Sequence, residues 1–265
     1  MTALTPSLLA AILYLGGSFY QLRCMGKRLA VNINLLRAIG VVALLAHAGS
    51  LYVQLFTADG LSLGLFNTAS LVAWLVIAIT LASSFKAPVT SLLLGLFPLA
   101  LITGLLAWLF PSHGTTLVPA EGILVVHVLL SILAYGILTI AAFQASLLAI
   151  QNYQLKHKHP TRFIRTFPPL QTMERLLFQF LLCGEFLLTL ALISGFLFLD
   201  NMFAQGVVHK TFLSCVAWVV FGILLWGRYF RGWRGSNAIR WTLAGFLLLA
   251  LAYFGSKLVR EFLLT

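Results

Sequence analysis

The sequence predicts an all-α fold. It reads as a polytopic membrane bundle of about eight transmembrane helices, a single transmembrane domain over residues 1–265 with both termini outside (periplasmic). Three observations predict it. The first is composition: 61% of the 265 residues are hydrophobic, 9% are charged, and the mean hydropathy is +1.01. So few polar side chains cannot cover the surface of a water-soluble domain. The second is that apolar runs recur at the length of a bilayer crossing, about 20 residues. The third is that the basic residues fall in alternate gaps between those runs.

The runs lie at 5–23, 32–55, 67–85, 89–110, 122–151, 176–199, 209–228 and 240–262. The first has no basic residues ahead of it and its positive charges follow it, the pattern of a retained span rather than a cleaved signal. "TADGLSLG" separates the second and third runs, and "SSFKAPVT" gives a tight turn between the third and fourth, as in a helical hairpin. "PSHGTTLVPAEG" and the polar, proline-stopped "KHKHPTRFIRTFPPLQ" bracket the fifth. That run exceeds one crossing, so its helix should tilt or project into water at "QNYQLK".

Fourteen of the 17 basic residues fall in four gaps, those after the first, third, fifth and seventh runs. The other side holds Lys210, Lys257 and Arg260 with Asp59, Glu121, Asp200 and Glu261. By the positive-inside rule the fourteen are cytoplasmic. The net charge of +11 then belongs to cationic loops beside an anionic leaflet. No basic domain stands apart, which excludes a nucleic-acid partner. Cys24, Cys183 and Cys215 have no metal or redox spacing and read as small buried hydrophobes.

Six histidines are the candidate chemistry. His157 and His159 stand among lysines and read as solvated; His113 is in an outer loop. His47, in "LLAHAGSLYVQLF", and His127, in "EGILVVHVLLSILAYG", fall inside spans, and His209 opens the seventh. At 1.5 Å per residue, His47 lies roughly 13 Å and His127 roughly 9 Å from the outer ends of their helices. All three belong to the outer half of the membrane. Each has two readings. A neutral imidazole can hydrogen-bond between helices, or it can hold something, since titratable groups in hydrocarbon are costly. Imidazole suits zinc, copper and iron, and the scarcity of carboxylates disfavours a hard cation. Haem fits the apolar, aromatic surroundings better than a bare ion, with Lys210 or Arg260 available to pair with a propionate. Glu185, in "LLCGEFLLTLALISG", falls mid-span and reads either as a protonated carboxyl hydrogen-bonded across helices or as a proton or ion site. Gly184 and Gly195 permit close helix approach.

The segments "HVLLSILAYGILTIAAFQASLLAI", "MERLLF", "HKTFLSCVAWVVFGILLWGRYFRGWRG" and "LALAYFGSKLV", in that order over residues 120–262, resemble the cytochrome c assembly protein superfamily. The resemblance is nearest to its small eight-span branch of YpjD-like inner membrane proteins, related to HemX. It implies a haem-handling protein of the bacterial inner membrane. In the full synthases of that superfamily a histidine opening this helix is an external haem ligand, and His127 matches it. The tryptophan-rich external loop of those enzymes is missing: its place reads "LDNMFAQGVVHKT". Their histidine in the next helix falls near Trp226, and their external histidine near the C-terminus has no counterpart. The resemblance therefore implies non-covalent, b-type haem on His127, with His47 or His209 opposite, in a carrier or accessory rather than a complete synthase. The competing expectation is a non-enzymatic subunit of another membrane system, such as a transporter or a haem-synthesis enzyme. There the histidines only pack, and the cytoplasmic loops at 152–175 and 228–240 dock a protein partner.

Overall fold

In the computed structural model the described residues are 4–27, 29–57, 60–111, 122–157, 167–198 and 208–255. They form helices α1 (Leu4–Lys27), α2 (Ile33–Leu55), α3 (Leu65–Ser84), α4 (Leu93–Leu109), α5 (Gly122–Lys156), α6 (Leu170–Phe198), α7 (Val208–Arg231) and α8 (Ser236–Ala250). A 3₁₀ turn, Thr90–Leu92, leads into α4, and a π turn, Leu251–Gly255, continues α8. Among the described residues eight helical segments are long and apolar enough to cross a membrane. A two-residue antiparallel bridge, β1 (Phe56–Thr57) with β2 (Gly60–Leu61), closes the α2–α3 turn.

The helix bounds exceed the apolar runs at several places, and three of these have identifiable reasons. α6 begins at Leu170, not at 176, because Pro168 and Pro169 start it and because the charge at Glu174 is paired. α7 runs to Arg231 and stops at Gly232, whose φ of 64° leaves the right-handed helical region. Gly235, φ 53°, then starts α8 at Ser236 rather than at 240. As the long fifth run foretold, α5 continues through Gln151–Lys156.

The chain divides into two compact units. In the first, α1 packs on α2 and α4, and α3 packs on α2 and α4, so four helices close a ring. Small residues set its spacing: a Cβ on Gly17 would lie 2.7 Å from the Phe97 ring, and one on Gly40 would lie 2.9 Å from Leu81. In the second unit α5 packs on α6 and α8, and α7 packs on α6 and α8, closing a ring in the same order. Gly184 brings α6 onto α5, where an added Cβ would meet Leu138 at 2.7 Å. Of the cysteines, Cys24 is buried as expected, but Cys183 is exposed, on the outward face of α6. A thiol behaves as a small hydrophobe, so a lipid-facing position suits it as well as the core.

Candidate functional site

His47 lies in the interior of the first ring and is 2% exposed. Its Nδ1 is 3.2 Å from the Tyr14 hydroxyl on α1, and its Nε2 is 2.8 Å from Ser70 Oγ on α3. A neutral imidazole has one donor and one acceptor nitrogen, and here both are used. Tyr14, in turn, packs against Phe97, ring centroids 5.4 Å apart. Gly104 lets α4 pass close by, since a Cβ there would lie 3.6 Å from Nε2. A small cavity adjoins this network, lined by Ser7, Tyr14, His47, Ser50 and Gly104. Ser7 and Ser50 share a hydrogen bond of 2.6 Å, and Gln54 donates to Ser50 over 2.6 Å. The imidazole thus ties three helices together through two side-chain contacts.

His127, in the second unit, is half-buried near the start of α5. Its Nδ1 is 3.0 Å from Ser194 Oγ on α6. Ser194 donates its own hydroxyl proton to the Ala191 carbonyl over 2.9 Å. With that proton committed, Ser194 accepts from His127, so Nδ1 carries the hydrogen and Nε2 keeps its lone pair. The imidazole also hydrogen-bonds the Ala191 backbone, one turn before Ser194 on α6. A histidine whose far nitrogen is fixed by a neighbour has the form of a metal-ligating histidine with its outer partner. The flanking Val126 and Leu129 are exposed apolar residues.

Two turns further on, Tyr135 packs on Phe246, Tyr253 and Phe254, with centroids 5.8, 6.3 and 5.4 Å away. Lys210 places its Nζ 5.9 Å from the centroid of the Tyr253 ring. His209 is exposed at the head of α7. α5 and α7 are diagonal in the ring and, as alternate spans, both begin at the same end of the unit. The second unit therefore brings His127, His209 and Lys210 to one end, whereas His47 belongs to the first unit. Among the described residues no group of three or more His, Cys, Asp or Glu gathers as a metal site. His157 is described and exposed; His113, His159, Lys257 and Arg260 lie outside the described residues.

At the opposite end of the second unit the structure shows a cluster that sequence reasoning missed. Glu174, buried at the start of α6, accepts from Arg228 Nη1 at 2.8 Å and from Arg234 Nε at 3.3 Å. Arg228 also stands over the Phe178 ring, 4.6 Å from its centroid, and donates to the Trp233 carbonyl over 3.2 Å. Trp233 closes onto Gly227, where a Cβ would meet the indole at 2.5 Å. "WGRYFRGWRG" is thus a folded turn latched to α6. Arg228 and Arg234 are tied to Glu174, although the Arg234 side chain stays 63% accessible, and Tyr229 (84% exposed), Phe230 and Arg231 are exposed. One signal was readable: a lone glutamate in a chain with 6 acids and 17 bases, flanking a span.

The Cytochrome C assembly protein family matches over residues 35–264. The Inner membrane protein YpjD of Escherichia coli K12 is 37% identical over 223 residues, 83% of this chain and 84% of that protein. An uncharacterised 28.8 kDa protein of Azospirillum brasilense is 36% identical over 52% of each chain. Protein HemX of Brevibacillus brevis is 21% identical over 72% of each. No solved structure matches.

Proposed function

The chain belongs to the cytochrome c assembly protein family, and from that membership and the geometry at His127 we propose that it is a haem-handling protein of the bacterial inner membrane. The observation that carries the reading is the contact of His127 with Ser194 and Ala191, which anchors the imidazole to α6 beside the start of α5. The residues present fit the group: a ligand nitrogen, apolar side chains beside it and a cation at the same end of the unit. When bound, haem would supply a flat apolar ring and a redox-active iron. His127 would hold the iron, Ser194 fixes the orientation of its ring, and His209 would be the candidate second ligand. Lys210, beside Tyr253, is placed to pair with a propionate. His47 has no free nitrogen, so its role is to pin the first ring.

The fourteen clustered basic residues orient the protein, placing their loops in the cytoplasm, both termini in the periplasm and the His127 end outward. Membrane lipid is the surrounding partner. The missing tryptophan-rich segment supports a carrier or accessory role rather than haem attachment. The test is a haem titration of the detergent-purified protein followed by absorption. A saturable Soret band in the wild type that is lost in His127→Ala supports the reading. A wild type that shows no band, or a band unchanged in His127→Ala, overturns it.

A second reading is favoured by one observation. Tyr229, Phe230 and Arg231 are exposed on the last turn of α7, beside Arg228 and Arg234, which are tied to Glu174. In that reading the 228–240 segment docks a protein subunit, with or without haem. A partner that copurifies with the wild type in mild detergent and is lost from Tyr229→Ala/Arg231→Ala would favour it.

A further inference from the structure

Glu185 lies midway along α6 and is 8% exposed. Its Oε2 is buried and has no hydrogen-bond partner. The ion pairs among the described residues all go to the other acid of this helix, Glu174. Facing Glu185 on α7 stands Gly222, where a Cβ would lie 3.6 Å from Oε1. The glycine leaves the carboxyl its place against the α7 backbone. One turn along α6, Thr189 donates to the Glu185 carbonyl over 2.8 Å and accepts from Trp218 Nε1 over 2.8 Å. Trp218 and Gly222 are themselves one turn apart, so the α6–α7 seam carries an indole, a hydroxyl and a carboxyl over two turns.

A bare carboxylate in such a place would be severely penalised, and a buried acid without a charged partner takes up a proton instead. The neutral acid still leaves a polar atom unsatisfied, at a cost of about 1–3 kcal/mol. Packing alone does not account for that cost, because a leucine or methionine would fill the seam without it. An unpaired carboxyl at this depth has the character of a group kept for its chemistry.

We propose that Glu185 is a proton-binding site of the second unit, held as the neutral acid against Gly222 and deprotonated when the α6–α7 seam opens. The O–H bond breaks heterolytically, the electron pair stays on Glu185, and the proton passes to bulk water. No oxidant or reductant takes part. α7, which faces it, carries His209, Lys210 and Cys215 toward its start and Arg228, Tyr229 and Arg231 at its end. α5, on the other side of α6, carries His127, Tyr135, Tyr153 and Lys156. None of these forms a hydrogen bond or ion pair with the Glu185 carboxyl among the described residues. The site is separate from His127 and stands whether or not haem binds.

A lipid-soluble carbodiimide tests this, because it reacts with carboxylic acids in their protonated form. The full-length protein in phosphatidylethanolamine/phosphatidylglycerol vesicles is treated with dicyclohexylcarbodiimide between about pH 5 and about pH 9, then digested and mapped by mass. The expected result is one adduct, on Glu185, falling at least tenfold toward the alkaline end and absent from Glu185→Gln. Glu174, an ion-paired carboxylate on the same helix, is the internal control and stays unmodified. The pH profile of the wild type needs no variant, so a folding defect in Glu185→Gln leaves the test intact. No adduct on Glu185 at any pH, or an adduct whose yield ignores pH, overturns the proposal.

Discussion

Two four-helix rings with the same order of neighbours treat a histidine in opposite ways. In the first, His47 spends both nitrogens on side chains from two other helices and is sealed. In the second, His127 is half-buried with its Nδ1 bonded to Ser194 on α6, and the neighbouring Val126 and Leu129 are exposed. The difference lies in what surrounds each imidazole, since the residue type and the ring order are shared. A satisfied imidazole in hydrocarbon is a fastener, worth its two hydrogen bonds and its packing. A half-buried one held by a neighbour stands ready for a ligand, because that hydrogen bond has fixed the orientation of its ring.

Variants of the fastener should give the largest stability effects. His47→Ala removes a buried ring and strands the Tyr14 and Ser70 hydroxyls, so it should cost about 3 kcal/mol, read as a lowered melting temperature in detergent. Glu174→Gln should cost about 2 kcal/mol in the second unit. The discount from a fully buried pair reflects the exposure of Arg228 and Arg234, whose side chains are 30% and 63% accessible. Gly184→Ala pushes a methyl into Leu138 at the α5–α6 seam and should cost about 2 kcal/mol. It should also disturb His127, because Ser194 rides on the same helix. Ser194→Ala leaves the fold intact but frees the His127 tautomer, so haem affinity in a titration should fall about tenfold. Tyr14→Phe, which removes one of the two bonds to His47, should cost about 1 kcal/mol with haem binding unchanged. If Tyr14→Phe weakened haem binding as much as Ser194→Ala, the contrast between the two units would collapse.

Much of this architecture is legible in the sequence because the bilayer imposes it. Runs of about 20 apolar residues must be spans, and all eight runs coincide with helices. The neighbours of each helix are not legible. These spans are apolar on nearly every face, so no periodic stripe marks the side that meets another helix. The two histidines also look alike in sequence. Their fates are set by Tyr14, Ser70 and Ser194, common residues 33, 23 and 67 positions away. The Glu174 latch escaped for the same reason, its arginines lying 54 and 60 residues on. Where a residue's own depth and type settle the matter, as for the apolar spans, the sequence suffices. Where the matter turns on which distant side chain arrives, it does not.

The contrast between the two histidines is tested most directly by measuring haem content and melting temperature together for His47→Ala and His127→Ala, after expression with added haem. The expected outcome is a double dissociation. His127→Ala loses the Soret band and melts near the wild type, while His47→Ala melts markedly lower and keeps the band in its folded fraction. A His47→Ala protein that melts like the wild type but has lost the band would make His47 a ligand and contradict the assignment.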